Sequence, residues 1–502
     1  MPTHQKSYDI LIAGSGFAGS ITALCLNSAG FTVCLVERDR HPRFAIGESS
    51  TPIADMILRD LAKKYDLPQL KKLSRYGSWQ EHYPETLCGI KRGFSYYKHS
   101  KGEPFSFDQN HSLELLVAAS VDDQNSDTQW YRPETDQLFV QMVMDAGIDY
   151  LDQTDIQSIA KKPSGNWRIH GDWNGDPIEL EAGFIIDSTG SPRFSNRVFG
   201  TSSANLDFHT NTRAVYSHFE NVPRWHSYLT NHGFQTVGYP YNPDHSALHH
   251  LLEPGWLWML RFNSGLLSAG LVLDGQDSNG TAPGQEWREM IREYPSLSNL
   301  FTESRLADIP GQLIGTGRLQ RRLNKIFGDG WAALHHTAGF VDPLHSTGIA
   351  HSLCGVEKIL AVLEKSWNNH TKMASELANY EKEFFSELIL IDLLVSGCYK
   401  SRYHFDLFTA FSMLYFICTI TYEQYRITGE NFGQFLNADN KQLRSLVHQS
   451  YEKLLLILQN GAKKSDRERF INELRKNIKP FNSVGLMDPA KLNMYSHTAI
   501  AL

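Results

Sequence analysis

The sequence predicts an α/β fold in which a domain with a parallel sheet carries an inserted antiparallel β-sheet and is followed by a helical C-terminal region. Three observations predict this fold. A glycine-rich segment near the N-terminus stands between a short apolar strand and a helix rich in Ala and Leu. In the middle of the chain, aromatic and β-branched runs alternate with turn signals. Beyond about residue 355, apolar residues recur at spacings of three and four.

The N-terminal segment has the pattern of a βαβ unit. It predicts a strand over residues 8–13, a helix over 20–29 and a second strand over 31–36. In the loop after the first strand, the first glycine permits a tight turn, the second lets the backbone approach a pyrophosphate, and the third packs the helix on the strand. The amides at the start of the helix then face the phosphates.

An acid, Glu37, follows the second strand. Its carboxylate can accept hydrogen bonds from the ribose hydroxyls of a dinucleotide. The unit therefore predicts a dinucleotide site, and the alternative is a glycine-rich turn in an unrelated α/β domain. The residues assigned to this site are Gly14, Gly16, Phe17, Ala18 and Gly19 in the loop, with Glu37 and Arg38 after the second strand.

The dinucleotide domain is predicted to be discontinuous, because runs typical of strands interrupt it. Residues 94–131 and 205–275 carry these runs, and a helix over 133–146 and strands over 167–170 and 178–186 lie between them. The predicted Rossmann-like dinucleotide-binding domain covers residues 1–95, 125–200 and 325–365, the sheet layer that faces the substrate covers 96–124 and 201–324, and the helical C-terminal region covers 366–502.

Composition limits the possible partners and the location. The 48 Lys and Arg against 55 Asp and Glu give a net charge of -7, without the basic excess that nucleic acid binding requires. Six scattered cysteines without a C-x-x-C pair predict reduced thiols and a cytoplasmic location. The charge-free run 407–422 is shorter than the roughly 20 apolar residues of a bilayer span and predicts a buried helix, with membrane contact as the alternative.

Four further segments bear on the identity of the dinucleotide. Residues 47–52 read Gly-Glu-Ser-Ser-Thr-Pro, Arg132 opens the mid-chain helix, residues 185–190 read Ile-Ile-Asp-Ser-Thr-Gly, and residues 338–349 read Ala-Gly-Phe-Val-Asp-Pro-Leu-His-Ser-Thr-Gly-Ile. In this order they resemble four elements of the flavin-dependent halogenases. These are the G-E-S/A-T-x-P flavin loop, with a shift of one residue, the R-x-x-F-D stretch, the D-A-T-G element and the A-G-F-x-D-P-L-x-S-x-G-I run. The resemblance covers about the first 360 residues.

The resemblance implies that the dinucleotide is FAD. It also implies a halide site beside the flavin, where the amides of Thr347 and Gly348 begin a helix and form an anion-binding nest. The family has Gly-Asp before the A-x-G-F run, where this sequence has His335 and His336, and an imidazole can still donate to a flavin hydroxyl. The further FAD contacts that it implies are Gly47, Glu48, Ser49, Arg132, Asp187, Gly190, His336, Asp342, Pro343, Gly348 and Ile349.

The resemblance implies a catalytic role for two residues. Lys91 stands where the family's K-x-G/A-I-x-F stretch carries an essential lysine, which binds or captures hypohalous acid and presents it to the substrate. The alternative is a solvated lysine at the start of a strand. Tryptophan-type members carry a catalytic glutamate after D-P-L, where this sequence has His345, and histidine is a competent general base near neutral pH.

A pair of tryptophans is assigned to the substrate pocket. Trp256 and Trp258 resemble the family's W-x-W-x-I-P motif, and strand alternation places both on one face, where they can equally be core residues. Leu260 and Arg261 replace Ile-Pro. An arginine there can bind a substrate carboxylate or phosphate, or pair with an acid, and Arg261 is therefore assigned to the pocket with the two tryptophans.

The leading function is that of an FAD-dependent oxidoreductase that uses reduced FAD, oxygen and halide to halogenate an aromatic or electron-rich small molecule of secondary metabolism. The resemblance implies that a separate flavin reductase supplies the reduced FAD, and the lack of a second convincing G-x-G-x-x-G segment for NADPH agrees with this division. The alternatives are an FAD monooxygenase or dehydrogenase and a non-catalytic flavin-binding protein. No metal is predicted, since the histidine spacings match no standard ligand pattern.

Overall fold

The first sheet is built around the strand Lys6–Ala13, which runs parallel to Val33–Val36 on one side and to Asp176–Asp187 on the other. The computed structural model describes residues 6–203, 207–275, 280–429 and 433–498. The carboxyl ends of the parallel strands meet at one edge, the edge at which such sheets bind their ligands. In spatial order the strands are Phe327–Gly328, Trp331–Ala333, Asp176–Asp187, Lys6–Ala13, Val33–Val36 and Asp149–Leu151. Trp167–Trp173 pairs antiparallel with Asp176–Asp187, and Thr154–Lys161 pairs antiparallel with Trp167–Trp173.

The second sheet is mostly antiparallel, and its central strand Gly255–Arg261 is buried along its whole length. Alternate residues of this strand belong to different cores, with Trp256 and Trp258 in the core shared with the first sheet and Leu257 in a second core on the opposite face. In spatial order the strands are Arg305–Leu306, Thr212–Glu220, Leu267–Asp274, Gly255–Arg261, Ala247–Leu252, Gly93–Lys98, Glu114–Ala118 and Met494–Tyr495, with Ile314–Gly315 also paired to Thr212–Glu220.

Two short strand pairs connect the sheets to the loops around them. Arg321–Arg322 pairs with Gly339–Phe340, and Cys88–Lys91 pairs antiparallel with Asp127–Trp130. The second pair also carries a loop on its outer edge, because Ser49 forms a bridge with Gln129.

Helices cover the first sheet and form the C-terminal region. The α-helices are Phe17–Ser28, Pro52–Lys64, Pro68–Lys72, Tyr76–His82, Arg132–Asp145, Pro192–Phe199, Trp225–Asn231, Pro283–Arg292, Pro295–Phe301, His335–Ala338, Thr347–Ser366, His370–Ser401, Phe405–Thr428, Lys441–Gln459 and Lys464–Asn477. Short 3₁₀ turns lie at Pro243–His245, Phe435–Asn437, Lys479–Phe481 and Pro489–Lys491.

The predicted fold class is confirmed, while several boundaries differ. The first helix begins at Phe17, three residues before the predicted start, because its N-cap is Gly16 within the glycine loop. Short helices such as Trp225–Asn231 and Pro283–Arg292 interrupt the sheet layer, where only strands and turns were predicted. The strand Met494–Tyr495 returns from the C-terminal region to the second sheet.

One helix of the described residues, Phe405–Thr428, is long and apolar enough to cross a membrane by length and composition alone. In this fold 89% of its most apolar window is buried inside the protein, which matches the predicted buried helix. The six cysteines are also buried, as free thiols.

Candidate functional site

A cavity of about 470 Å³ lies at the carboxyl edge of the first sheet, and residues of both sheets line it. It brings together segments that are more than 300 residues apart in the chain. Of the residues predicted for the site, those that line it are Gly16, Phe17, Ala18, Gly47, Glu48, Ser49, Arg132, Gly190, Trp256, Trp258, His336, Pro343, Thr347, Gly348 and Ile349.

The glycine loop forms one end of this cavity, and two of its glycines are required by close backbone contacts. Gly14 has a φ of +102°, and a Cβ there would lie 2.5 Å from the carbonyl oxygen of Ser188. A Cβ on Gly19 would lie 2.0 Å from the carbonyl oxygen of Gly14, so helix and strand can meet only at a glycine. Gly16 faces the cavity instead, in the position that a pyrophosphate would approach.

Glu37 ends the second strand beside this loop, outside the cavity lining. Its carboxylate accepts hydrogen bonds from the amide and hydroxyl of Ser15, both at 3.0 Å, and pairs with Arg43 at 3.1 Å. Burial opposes ionisation, but the Arg43 guanidinium and the hydrogen bonds hold the pKa of Glu37 below its ordinary value. Arg38 points away, with 71% of its side chain exposed beside Asp39. The carboxylate thus orders the loop, and its contact with a ribose stays a prediction.

Arg132 lines the cavity and binds the start of the flavin loop predicted at residues 47–52. Its guanidinium makes a two-point contact with Asp136, both distances 2.8 Å, and donates to the carbonyl oxygens of Ile46 and Gly47 at 3.1 and 3.0 Å. It also lies 4.8 Å from the ring centroid of Phe17. A buried positive charge therefore stands at the phosphate end of the cavity.

His336 lines the cavity beside the glycine loop, with its ring centroid 6.2 Å from that of Phe17, and keeps one ring nitrogen unpaired. Nε2 lies 3.1 Å from the carbonyl oxygen of Ser188, while buried Nδ1 has no hydrogen-bond partner among the described residues. Burial lowers the pKa of His336 to about 4, so the ring is neutral. A Cβ on Gly190 would lie 3.6 Å from this ring. Because a neutral ring that donates from Nε2 can only accept at Nδ1, the free nitrogen fits a ribityl hydroxyl that donates to it, the reverse of the donation predicted for His336.

Two buried acids, Asp187 and Asp342, hold the turns that follow their strands but do not themselves line the cavity. Asp187 accepts from the Thr189 amide and hydroxyl and from Ser195, and burial raises its pKa to about 6. Asp342 accepts from Thr212 at 2.7 Å and Tyr399 at 3.1 Å, and burial raises its pKa to about 7. Their role is to position the flanking residues, such as Pro343, that do face the cavity.

The predicted halide nest lies at the start of the helix Thr347–Ser366. Its N-cap Ser346 has a φ of +53°, which turns the chain so that Thr347 and Gly348 face the cavity. No side chain caps this helix end, and the first amides therefore remain available to an anion.

The substrate-pocket residues divide between the two faces of one strand. Trp256, Trp258 and Leu260 line the cavity, as the period of two requires. Arg261 is the next residue and lies on the opposite face, where it donates to the carbonyl oxygens of Pro223 and Gly265 at 3.0 and 3.1 Å. The structure thus keeps both tryptophans in the site and places Arg261 outside it.

Lys91 is fully buried, which excludes the alternative of a solvated lysine, and it lies outside the lining of the large cavity, behind the flavin loop. Its ammonium donates to the carbonyl oxygen of Ser50 in the flavin loop and lies 4.2 Å from the ring centroid of Phe94. Burial lowers the pKa of Lys91 to about 8, against the opposing effect of Asp127 and Asp55. Beyond its bond to Ser50, no protein acceptor within the described residues takes the other two N–H groups of the ammonium.

A smaller cavity of about 30 Å³ borders the Phe94 ring. Aromatic and aliphatic side chains line it, together with Glu423 and the threonines Thr51, Thr419 and Thr498. Burial, and next the charge of Asp127, raises the pKa of Glu423 to about 8. The lysine therefore stands next to an apolar pocket that contains one acid.

His345 is also fully buried and, like Lys91, lies outside the lining of both cavities. Its Nδ1 is 3.3 Å from the Tyr96 hydroxyl, its Nε2 is 3.5 Å from Cys398 Sγ, and its ring stacks on Tyr415 at 4.2 Å. Burial lowers its pKa to about 3. The structure therefore does not bring His345 together with the other predicted site residues.

Two polar features were missed by sequence reasoning. His218 Nε2 lies 2.8 Å from Glu48 Oε1, a fully buried pair that ties the flavin loop to the second sheet. His335, His351 and Glu387 have ligand atoms within 4.8 Å of one another, a spacing that a metal could use. Glu387 already accepts from Lys358 at 2.6 Å and from the Phe435 amide at 2.9 Å, so we interpret this group as a buried ion-pair network.

The glycine cradle, the charge of Arg132 and the unpaired nitrogen of His336 fit an FAD molecule along the large cavity. Comparisons with known proteins agree. Residues 9–66 match the family model for tryptophan halogenase. The monodechloroaminopyrrolnitrin halogenase PrnC of Pseudomonas fluorescens is 27% identical over 434 residues, 83% of this chain and 72% of that protein. The tetracycline 7-halogenase of Kitasatospora aureofaciens is 23% identical over 416 residues, 81% and 72% of the two chains.

The fold has solved counterparts as well. The crystal structure of halogenase PltM in complex with phloroglucinol and FAD has a TM-score of 0.83 at 24% identity, covering 98% of this chain and 99% of that one. A flavoprotein/dehydrogenase from Cytophaga hutchinsonii is more distant, with a TM-score of 0.60 at 19% identity over 81% of this chain and 88% of that one. In sequence and in fold the chain is thus similar to flavin-dependent halogenases, and these matches support its identification as an FAD-dependent oxidoreductase.

Proposed function

We propose that the protein halogenates an electron-rich aromatic small molecule with reduced FAD, oxygen and halide. The observation that carries this function is the buried ammonium of Lys91, which is bonded to the flavin loop and retains two N–H donors. Bound FAD in its reduced form supplies the electrons for oxygen activation, by which halide is converted to hypohalous acid. The residues of the chain then have to bind this oxidant, exclude water and present it to the substrate.

Lys91 is suited to hold hypohalous acid. Its free N–H groups can donate to the oxygen of the oxidant, and this hydrogen bonding makes the halogen more electrophilic. Ser50 fixes one N–H, and the Phe94 ring supports the charge from one side. The amides of Thr347 and Gly348 are the groups that we expect to hold the halide at the cavity end.

The substrate class is supported by the relatives. PrnC and the tetracycline 7-halogenase are named for aromatic products or substrates, PltM was solved with phloroglucinol, and a further relative is a brominase of a pyrrole-2-carbonyl group on a carrier protein. We therefore expect a phenol, pyrrole or aniline ring. We also infer that a separate flavin reductase delivers the reduced FAD, and that the protein works in the cytoplasm.

The test is incubation of the purified protein with FAD, a flavin reductase, NADH and bromide, with a panel of phenols, pyrroles and anilines as substrates. Mass spectrometry should detect a product with the bromine isotope pattern, and replacement of bromide by acetate should abolish it. An oxygenated product formed equally without halide would indicate a monooxygenase. A protein that acquires no flavin would contradict both enzyme functions.

A further inference from the structure

Lys91 faces a buried carboxylate across a strand pair. In the antiparallel pairing of Cys88–Lys91 with Asp127–Trp130, Lys91 is directly opposite Asp127. Side chains opposite each other in such a pair lie on one face, with Cβ atoms about 4.5–5.5 Å apart. Both residues are buried, and the carboxyl of Asp127 shares a side-chain hydrogen bond with the carboxyl of Asp55. Strand register therefore places an acid on the same face as the ammonium.

A second buried acid, Asp55, belongs to the same group. It lies in the helix Pro52–Lys64 and accepts a hydrogen bond from the Ser50 hydroxyl at 3.0 Å. Burial, and next the charge of Asp127, holds the pKa of Asp55 well above its ordinary value. Burial also raises the pKa of Asp127, but Lys91 opposes this and the value is about 6. Two carboxyls that share a buried site do not both ionise readily.

The other charges that act on this group come from two neighbouring helices. Arg59 of the helix Pro52–Lys64 lowers the pKa of both carboxyls, and the charge of Arg75 in turn lowers the pKa of Arg59. On the helix Phe405–Thr428, the charge of Asp127 raises the pKa of Glu423. Neither arginine is among the groups that act on Lys91. One ionised carboxylate and one protonated carboxyl thus account for the charge beside the ammonium.

The strand that carries Asp127 also holds the flavin loop. The amide of Trp130 donates to the carbonyl oxygen of Glu48 at 2.6 Å, and the amide of Ser50 donates to the carbonyl oxygen of Thr128 at 3.2 Å. One edge of this strand therefore holds the loop carbonyl that accepts from Lys91, and the other edge pairs with the strand that contains Lys91 itself.

We propose that Asp127 is the positioning residue of Lys91: its carboxylate keeps the ammonium charged and directed at Ser50, while Asp55 stays protonated beside it. The importance of this for turnover rests on the proposed function. The charge arrangement itself can be measured in the resting protein, without flavin, halide or substrate.

The experiment is an NMR titration of the full-length protein carrying ¹³Cε- and ¹⁵Nζ-labelled lysine, with the Lys91 signal assigned by its absence in Lys91→Arg. Asp127→Asn should lower the titration midpoint of Lys91 by about one unit or more, because an opposite charge at this range shifts a pKa by about 1–3 units. Asp127→Glu, which keeps the charge, should restore most of the shift. Asp55→Asn is the matched comparison and should lower the midpoint by less than Asp127→Asn does, since Asp127 has the larger of the two opposing effects on Lys91.

Two outcomes would overturn this assignment: a midpoint that Asp127→Asn leaves unchanged, or one that Asp55→Asn lowers as much as Asp127→Asn. Should Asp127→Asn fail to fold, carboxyl ¹³C NMR of the unsubstituted protein decides the question. A protonated Asp55 signal at pH 7 supports the assignment, and an ionised one contradicts it. In turnover assays, the alkaline limb of the pH profile should move down with the Lys91 midpoint. A protein without halogenation activity would refute the proposed function and leave the titration valid.

Discussion

Lys91 and His345 are both fully buried, but their surroundings have opposite effects on the charged form of the side chain. Around Lys91, a loop carbonyl and the Asp127 carboxylate offset the cost of burial, and the pKa of the ammonium stays near 8. Around His345 stand a hydroxyl, a thiol and the Tyr415 ring, and burial lowers the pKa to about 3. Burial alone therefore favours the neutral form of a side chain, whereas an opposite charge held nearby preserves the charged form. The following predictions separate the two pockets.

The largest effect is expected for Lys91→Met. The change removes the only donor that we assign to the oxidant, and halogenation should fall by roughly 100- to 10,000-fold, the usual contribution of such a group. Stopped assays with mass spectrometric detection measure this loss, with FAD binding as the check on folding. Arg92→Met is the matched control, because Arg92 bonds to Ser120 and Asp123 outside the pocket and should leave turnover within a few-fold. Equal losses in both variants would contradict the role of Lys91.

A smaller effect is expected for Arg132→Met, which tests how far the charged pocket depends on the flavin loop. The variant loses the hydrogen bonds to Ile46 and Gly47, and hydrogen bonds of a charged group contribute about 1.5–3 kcal/mol. FAD binding, followed by fluorescence quenching, should weaken by roughly 10- to 100-fold. The exposed Arg38 serves as the comparison, and Arg38→Met should change FAD affinity by less. A larger effect at Arg38 would reverse this order.

His345→Gln should lower turnover by less than about tenfold, below the loss of roughly 100-fold or more that removal of a general base causes. The reason is that the imidazole is neutral over the working pH range and that Tyr96, Cys398 and Tyr415 surround it. The measurement is kcat and KM against pH from 5 to 9. If kcat instead fell by two orders of magnitude and the pH profile lost its acid limb, His345 would be the general base that the sequence predicts.

The smallest effect concerns stability rather than turnover. A histidine with a folded pKa near 3 and an unfolded pKa of 6.5 binds its proton mainly in the unfolded state between these values, so stability is lost as the pH falls from 6.5 towards 3. Between neutral pH and pH 5 this amounts to about 2 kcal/mol. The free energy of unfolding of His345→Gln, measured in urea, should therefore be less sensitive to acid than that of the unsubstituted protein. Parallel pH dependences in the two proteins would show that His345 is already charged in the fold.

Local sequence patterns predicted the glycine loop and the helix start at Thr347, both of which contribute residues to the lining of the large cavity. The glycine loop, the strand-end acids and the helix start at Thr347 each depend on a few consecutive residues, and the backbone they dictate is set by steric contacts such as those of Gly14 and Gly19. Alternation likewise placed Trp256 and Trp258 on one face. The same rule places Arg261, three residues after Trp258, on the other face.

The surroundings of the buried charges could not be predicted in this way. Asp55 and Asp127 are 36 residues on either side of Lys91 in the chain, and only strand register and helix packing bring them to it. One feature of the sequence could have indicated a charged partner for Lys91, namely the acid at the start of the strand Asp127–Trp130, which is otherwise without charge. His345 has the right residue type after Asp-Pro-Leu, but the C-terminal helices decide what its ring contacts, and those helices were predicted only as a region.

The strand Asp127–Trp130 also sets a rule for recombining this enzyme with its relatives. It has two partners, the flavin loop on one edge and the strand ending in Lys91 on the other. A chimera that exchanged only the loop, or only the lysine strand, would join hydrogen-bonding edges that had not been selected together. The three segments form one exchangeable cassette, whereas the outer strands and C-terminal helices can be varied for new substrates with the cassette left intact.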